Sequence, residues 1–210
     1  MGLSSRAPKG EQNGHSCAGN GVDGRAGRCE RVAMHLETSR LTIRPWSHDE
    51  AERLLDIQSR LEVVKWLGDG EPVLMKDLDE AHARIARYHE RSEAPPLGFW
   101  AVEVRETGVV AGSVILLTLP DADDGEVEVG WHLHPDSWGH GFATEAATAV
   151  IQHGFDGGLP EIYALTHTTN EPSQAVCRRL GLDDLGVMEK WYEGESRVYR
   201  TTPERWANRS

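Results

Sequence analysis

The sequence has little cysteine and no long hydrophobic run. Its three cysteines are Cys17, Cys29 and Cys177. Because the number is odd and no pair has C-x-x-C spacing, the sequence argues against a disulfide framework or a zinc knuckle and is typical of a reducing compartment. No apolar stretch approaches the length of about 18 residues that a membrane-spanning helix needs, and no secretory h-region follows the first residues. We therefore expect a cytoplasmic protein that does not bind membranes.

Basic residues are also scarce. Lys and Arg number 22 against 34 Asp and Glu, which gives a formal net charge of -12. Proteins that bind nucleic acid through its phosphates need basic patches, so we expect no nucleic-acid partner. Negative charge favours cationic partners such as amines or basic peptides, and it also keeps a protein soluble.

Composition divides the chain into two parts. Residues 1–33 are rich in Gly, Ser, Asn and Arg and have almost no apolar periodicity. Such a segment cannot bury enough surface to offset the entropy of ordering it. We predict a flexible extension over residues 1–33 and a single folded domain over residues 34–210. Met1 and Met34 are both possible translation starts.

From residue 35 onward the hydrophobic pattern is regular. Alternation and β-branched residues predict seven strands, in HLETSRLTIRPW, GFWAVEV, VVAGSVILLTL, EVEVGWHLH, EIYALTHTT, LGVMEKWYEG and SRVYRTT. Helical spacing and capping residues predict five helices, in SHDEAERLLDIQS, LEVVKWL, KDLDEAHARIARYHERSEA, FATEAATAVIQHGF and NEPSQAVCRRLGL. This order of elements implies an α+β (mixed α/β) fold, with one central mixed sheet of about seven strands flanked by helices on both faces.

The segment WGHGFAT, Trp138 to Thr144, lies between a predicted strand and a predicted helix. Glycines allow a tight turn there, and the free N–H groups of a helix N-terminus bind anions such as pyrophosphate. The G-x-G-x-A spacing is shorter than the dinucleotide fingerprint or the P-loop, and no Lys-Ser/Thr follows, so we do not expect an NTPase. Taken alone, the glycines are also compatible with a purely structural turn.

Histidines surround this segment. His132 and His134 fall on one face of the preceding strand, and His167 lies on the next predicted strand. No Cys or acidic residue accompanies them at metal-site spacing, so we predict no metal and favour substrate contact or packing for these histidines.

GWHLHPDSWGHGFATEA resembles the acyl-CoA-binding segment of the GNAT N-acetyltransferases. The loop of that family has the pattern Gln/Arg-x-x-Gly-x-Gly/Ala, and Trp138-Gly139-His140-Gly141-Phe142-Ala143 is similar to it, with Trp in the first place. LETSRLTIRPW, THTTNEPSQAVCRRLGL and SRVYRTTPERWA resemble the opening strand, the Asn-x-x-Ser helix and the last strand of the ribosomal-protein N-terminal acetyltransferase (RimJ/RimL-like) branch. The resemblance spans about residues 34–207 and implies the GNAT acyl-CoA N-acyltransferase fold.

The resemblance also implies acetyl-CoA as the acyl donor, without a metal. The loop, with Trp138, would hold the pyrophosphate through the backbone amides of Gly139, His140, Gly141, Phe142, Ala143 and Thr144. The preceding strand would bulge, splay from its neighbour and offer backbone groups of Trp131, His132 and Leu133 to the pantetheine. A backbone N–H near Leu133 would stabilise the tetrahedral intermediate, and Asn170 would contact the cofactor or a water.

An amine is protonated at neutral pH, so its attack on the thioester needs a base. By resemblance the base is Glu128, whereas Glu126 is expected to face solvent. Many GNAT enzymes place a Tyr in the last helix as general acid, but that position is Cys177 here, which leaves Ser173 as the candidate acid. Asn170 and Ser173 could equally be helix-capping residues. Trp66 lies where this branch shapes its acceptor site, and packing between helices is the equal alternative.

The implied activity is transfer of acetyl from acetyl-CoA to a primary amine, either a protein N-terminus or a small molecule, by direct attack in a ternary complex. The alternative is a catalytically inactive acyl-CoA-binding module, which the missing Tyr favours and which Glu128 and Ser173 oppose. The sequence does not identify the acceptor or the acyl-chain preference. Exposed edge strands make a homodimer possible.

Overall fold

The computed structural model describes residues 34–68, 70–92 and 94–209, and the predicted extension over residues 1–33 lies outside the described residues. Eight strands occur in this part of the chain: β1 Leu36–Glu37, β2 Leu41–Arg44, β3 Gly98–Val104, β4 Val110–Thr118, β5 Val127–Leu133, β6 Ile162–His167, β7 Asp183–Met188 and β8 Ser196–Thr201. Its α-helices are α1 Ala51–Gln58, α2 Leu61–Val64, α3 Leu78–Arg91, α4 Phe142–Asp156, α5 Glu171–Arg179 and α6 Pro203–Ala207. None of these helices has the length and apolarity needed to cross a membrane.

All eight strands belong to one sheet with the order β1-β2-β3-β4-β5-β6-β8-β7. Neighbouring strands are antiparallel except β5 and β6, which are parallel and share a single register pair, Glu128 with Tyr163. The prediction of one mixed sheet is thus confirmed.

The sheet has one strand more than predicted because HLETSRLTIRPW forms a hairpin rather than one strand. At its turn the N–H of Thr38 donates to the carbonyl of Leu41 (2.9 Å), and the N–H of Leu41 donates to the hydroxyl of Thr38 (2.9 Å). A threonine side chain that competes for backbone partners in this way ends a strand. The hairpin separates β1 from β2 and places residues 38–40 beside the N-terminus of α4.

Two hydrophobic cores confirm that helices cover both faces of the sheet. One core joins the strands to α4, α5 and α6 and contains Val129, Val150 and Trp206. The other joins the opposite face to α1 and α3 and contains Leu54 and Ile85. Because side chains alternate along a strand, successive residues of β5 point into different layers.

The C-terminal part differs from the prediction at two places. The strand predicted for LGVMEKWYEG ends at Met188, and residues 189–195 form a loop in which Trp191 has a φ of 73°. A left-handed φ at a bulky residue is incompatible with a continuous strand. After β8, Thr202 caps the short helix α6 through its side chain, and Trp206 from α6 is buried in the first core.

Candidate active site

The parallel strands β5 and β6 separate beyond their one register pair and leave an opening in the sheet. On the other side of β5, the N–H of His134 donates to the carbonyl of Ala111 (2.8 Å), and the N–H of Leu119 donates to the carbonyl of Glu126 (2.8 Å). Even-numbered residues of β5 therefore direct their backbone groups to β4, and Trp131 and Leu133 direct theirs into the opening. An extended ligand can pair with such a free strand edge.

The structure differs from two expectations about β5. The register with β4 is continuous from Val127 to Leu133, so the expected bulge is absent and the opening arises where β6 diverges. The backbone groups of His132 face β4, opposite Ser113, which leaves them unavailable to a pantetheine chain in the opening. The His132 side chain lies on the face covered by α1 and α3, where its Nε2 is 3.4 Å from Nε2 of Gln58.

The loop before α4 turns at Gly139 (φ 78°) and Gly141 (φ 80°), and the helix begins at Phe142. Glycine adopts these left-handed angles without a steric cost. Within the described residues, no N–H group from 139 to 144 donates to a protein acceptor. These six amides and the positive end of the α4 dipole form a cradle suited to an anion of pyrophosphate size.

Trp138 connects the cradle to the opening. Its indole Nε1 donates to the carbonyl of Leu133 (2.9 Å), and its side chain is 47% exposed. Since the Leu133 carbonyl faces the opening, Trp138 occupies that acceptor and leaves the Leu133 N–H free to donate.

Glu145, in the first turn of α4, anchors the cradle to the β1–β2 turn. Its carboxylate accepts hydrogen bonds from the hydroxyls of Thr38 (2.5 Å) and Ser39 (3.0 Å), and from the backbone N–H (2.9 Å) and Nε (2.7 Å) of Arg40. Arg40 also donates to the carbonyl of His140 (2.9 Å). Burial raises the pKa of Glu145, but the hydrogen bonds from Thr38, Arg40 and Ser39 outweigh it and lower that pKa below its usual value.

We expect Glu145→Gln to lower the melting temperature by about 4–8 °C, which corresponds to about 2 kcal/mol of lost charge-assisted hydrogen bonding. A carboxylate with a depressed folded pKa contributes stability above its unfolded pKa and loses it as the pH falls through the folded pKa. The difference between the variant and the wild type should therefore shrink in acid, as measured by thermal melts across pH.

The control for this prediction is Glu37→Gln. Glu37 is exposed and lies 3.5 Å from Arg105 in a surface pair, so its loss should change the free energy of unfolding by less than about 1 kcal/mol. Equal shifts for both variants would contradict the anchoring role of Glu145.

Glu128 lies on the same face of β5 as His132 and is 9% exposed. Tyr192, from the loop between β7 and β8, donates a short hydrogen bond to its Oε1. Burial raises the pKa of Glu128, and the hydrogen bond from Tyr192 and the charge of Arg91 counter this only in part. A carboxyl group with a raised pKa can act as a general base near neutral pH.

Glu126 occupies a different environment, although it is only two residues away. Nζ of Lys190 lies 2.9 Å from its Oε1. The hydrogen bonds from Lys190 and from backbone N–H groups lower the pKa of Glu126 to about 2. Its carboxylate therefore stays ionised and paired, which makes it a weaker base than Glu128.

His132, Gln58 and Tyr88 form a polar cluster on the face of β5 that carries Glu128, and His132 lies four residues, about 13 Å, further along the strand. Nε2 of Gln58 donates to the Tyr88 hydroxyl (2.8 Å), and the Tyr88 ring stacks on Phe99 at 3.6 Å. Burial and the nearby charge of Arg84 lower the pKa of His132 to about 4. The imidazole is thus neutral at physiological pH.

The remaining predicted residues lie around the opening. Trp66 contacts His167 at the end of β6 edge-on, with ring centroids 5.6 Å apart. Asn170 caps α5 by accepting a hydrogen bond from the Ser173 N–H (3.3 Å), whereas the Ser173 hydroxyl makes no hydrogen bond within the described part of the chain. Cys177 is fully buried, and burial raises its pKa to about 12, so it is not a nucleophile.

The histidines do not converge. His134 follows β5, with its Nδ1 accepting from the N–H of Asp136 (3.1 Å) and its Nε2 3.1 Å from Asp56. Nδ1 of His167 is 2.9 Å from the Thr169 hydroxyl. Over residues 34–68, 70–92 and 94–209, no three His, Cys, Asp or Glu side chains are arranged to hold a metal ion.

Sequence reasoning missed Tyr192 because it placed this residue in a strand. The left-handed backbone at Trp191 turns the chain so that Tyr192 reaches Glu128. Glycine at position 194 and the dense charge of EKWYEGE were the available signs that this segment forms a loop.

A family model described as an acetyltransferase (GNAT) domain matches residues 40–183. The chain belongs to the GNAT acetyltransferase family. The predicted family, fold and enzyme class are thereby confirmed: the protein is an acetyl-CoA-dependent N-acetyltransferase with the GNAT fold.

Individual relatives in the GNAT family share less than 30% sequence identity with this chain in the three comparisons that follow. The chain is 27% identical over 167 residues to the uncharacterized N-acetyltransferase YoaA of Bacillus subtilis. The aligned region covers 79% of this chain and 92% of YoaA. It is 28% identical over 186 residues to the FsC-acetyl coenzyme A-N(2)-transacetylase of Aspergillus fumigatus, covering 81% and 77% of the two chains. The structure of Mycobacterium smegmatis RimJ in complex with CoA-disulfide matches with a TM-score of 0.64 at 18% identity, covering 78% and 82%, which shows a shared fold.

Proposed function

We propose that this protein transfers acetyl from acetyl-CoA to a primary amine by direct attack in a ternary complex. The observation that best supports this proposal is the opening between β5 and β6, which has the amide cradle of residues 139–144 at one end and the buried Glu128 on β5. A thioester donor needs an anion site and a strand edge, and its amine acceptor needs a base.

For the donor, we assign the pyrophosphate to the cradle and the pantetheine to the backbone groups of Trp131 and Leu133. The N–H of Leu133 would donate to the oxyanion that forms when the thioester carbonyl is attacked. Asn170, at the cap of α5, would contact the cofactor or a bound water. This assignment explains why the cradle amides and the N–H of Leu133 have no protein acceptor within the described residues, whereas the Leu133 carbonyl is taken by Trp138.

For the chemistry, the amine nitrogen bonds to the carbonyl carbon while its proton passes to Glu128, directly or through a water. The carbon–sulfur bond then breaks, and the Ser173 hydroxyl passes a proton to the departing thiolate while taking one from solvent water. The free Ser173 hydroxyl and the raised pKa of Glu128 support these roles. Trp66 is proposed to contact the acceptor at the mouth of the opening.

Tyr192→Phe should shift the acidic limb of the pH–rate profile to higher pH. The Tyr192 hydroxyl lowers the pKa of Glu128, so its removal leaves only the charge of Arg91 to oppose burial and raises that pKa further. Because the base must be ionised, activity near the lower end of the profile falls while the rate at high pH is retained. An unchanged limb in the profile of kcat/KM would contradict the pairing of Tyr192 with the base.

The test of the proposed function is release of free CoA from acetyl-CoA with a mixed panel of peptides and small amines. The proposal predicts CoA release together with an acetylated amine, and a higher melting temperature with acetyl-CoA. If acetyl-CoA stabilises the protein but no amine releases CoA, the inactive binding module is the better description. If acetyl-CoA gives no thermal shift, the assignment of the opening fails.

A further inference from the structure

The imidazole of His132 lies beside the proposed oxyanion donor, the backbone N–H of Leu133. The two residues are neighbours on β5. The Leu133 N–H points into the opening, whereas the His132 side chain stands on the face of the sheet that α1 and α3 cover. Neighbouring Cα atoms are only about 3.8 Å apart, so an oxygen that accepts from the Leu133 N–H comes within reach of Nδ1, the ring nitrogen nearer the backbone.

Gln58 holds the far side of the imidazole ring. Its amide nitrogen lies 3.4 Å from Nε2 of His132 and also donates to the Tyr88 hydroxyl (2.8 Å). Gln58 and Tyr88 are each 3% exposed, so packing fixes both partners. Because an amide nitrogen only donates, Nε2 of the neutral imidazole accepts, and the ring proton is on Nδ1.

This Nδ1–H group is available to a ligand. Nδ1 of His132 forms no hydrogen bond with any residue that the structure describes. It is also not among the fully buried polar atoms that lack a partner, so it keeps some accessible surface. A neutral N–H donor next to a free strand edge is suited to contact an oxygen atom of a ligand in the opening.

The imidazole is also in the right protonation state for a donor. Burial and the charge of Arg84 lower the pKa of His132 to about 4. The ring is therefore neutral at the pH at which Glu128 must be ionised, and it keeps its single N–H. Neutral imidazoles can polarise a carbonyl group in this way.

We propose that the Nδ1–H of His132 is a second donor to the oxyanion, beside the N–H of Leu133. When the amine nitrogen bonds to the carbonyl carbon, the π electrons of the carbonyl move to the oxygen, which accepts both hydrogen bonds. His132 keeps its proton, and the electron pair returns to the carbonyl as the carbon–sulfur bond breaks. Glu128 lies about 13 Å back along the strand, so the proton of the amine reaches it through water. This inference rests on the proposed acetyl transfer and adds a catalytic residue to it.

Three substitutions of His132 test the position of the donor. His132→Leu should lower kcat by about 10²–10³-fold with little change in KM, the usual effect of removing one oxyanion donor. His132→Asn places an amide nitrogen near the position of Nδ1 and should recover most of the lost rate. His132→Gln places its amide nitrogen near the position of Nε2 and should remain as slow as His132→Leu. A merely structural role would not separate Asn from Gln in this way.

A second measurement needs no amine. Acetyl-CoA that is isotope-labelled at the thioester carbonyl carbon is bound to each protein, and infrared difference spectra record the carbonyl stretch. A hydrogen bond to the carbonyl oxygen lowers the frequency of this band. The wild type and His132→Asn should therefore show a lower frequency than His132→Leu and His132→Gln.

His153→Leu is the matched control. His153 lies on α4, is half-buried, contacts the Trp100 ring with centroids 6.0 Å apart, and has a pKa that burial lowers. Its replacement should change the melting temperature but neither kcat nor the carbonyl band.

Two results would overturn the inference while leaving acetyl transfer intact: His132→Asn as slow as His132→Leu, or one carbonyl frequency for the wild type and all three His132 variants. If no amine releases CoA with the wild-type protein, the proposed function fails instead. The infrared comparison then still decides whether His132 contacts the carbonyl oxygen.

Discussion

Glu128→Gln is expected to lower kcat by about 10²–10⁴-fold at neutral pH, the usual contribution of a general base. Gln has nearly the shape of Glu and can still accept a hydrogen bond from Tyr192, but it cannot take a proton from the amine. The affinity for acetyl-CoA should stay at the wild-type value, because the cradle and the strand edge are built from backbone groups.

The pH dependence makes this prediction sharper. Burial raises the pKa of Glu128, so the wild-type kcat/KM should rise as the pH increases through that pKa and the carboxyl group ionises. In Glu128→Gln this limb should disappear, and the remaining slope should follow the free-base fraction of the amine. The measurement is kcat/KM over a pH series with one amine.

Glu126→Gln is the matched control for Glu128. Both glutamates belong to the same stretch of chain, but Glu126 is paired with Lys190 and has a lowered pKa. The control should retain kcat near the wild-type value and the same acidic limb. An equal loss in both variants would indicate that the effect is structural and would remove Glu128 as the base.

Ala143→Pro is expected to weaken acetyl-CoA binding by about 10–100-fold, the effect of losing one hydrogen bond to a charged group. Ala143 is the second residue of α4, where proline is compatible with the helix because the N–H has no intrahelical acceptor. The chain already contains this arrangement in α5, where Pro172 is the second residue. The substitution therefore removes a donor from the cradle with little change in the fold.

Calorimetric titration with two ligands separates this effect from general damage. Acetyl-pantetheine lacks the pyrophosphate, so its affinity should be the same for Ala143→Pro and the wild type. Ala143→Gly, which keeps the N–H, should bind acetyl-CoA close to normally. Weakening of both ligands by a similar factor, or no weakening at all, would contradict the assignment of the pyrophosphate to these amides.

Local sequence signals were sufficient for much of the fold. GFWAVEV became β3 at the predicted residues, and the helix expected after Gly141 begins at Phe142. These elements have strong periodicity and clear boundary residues, which are local properties of the chain. The cradle could be predicted for the same reason, since it depends on two glycines and a helix start.

Features that depend on distant contacts were not predictable in this way. The hairpin of β1 and β2 is held by Glu145, over a hundred residues away, and the opening depends on where β6 diverges from β5. The orientation of the β5 backbone, which distinguishes Trp131 from His132, follows only from pairing with β4. Tyr192 reaches Glu128 across the sheet, which no local pattern in the sequence encodes.

The most direct test of transfer in a ternary complex is a single-turnover experiment. Enzyme is mixed with acetyl-CoA, an amine is added afterwards, and samples are taken before and after that addition. Intact-mass spectrometry of the protein and quantification of free CoA are needed at both times. The account predicts unmodified protein and no free CoA before the amine is added, then one acetylated amine for each CoA released. Acetylated protein with free CoA before the amine is present would contradict direct attack in a ternary complex.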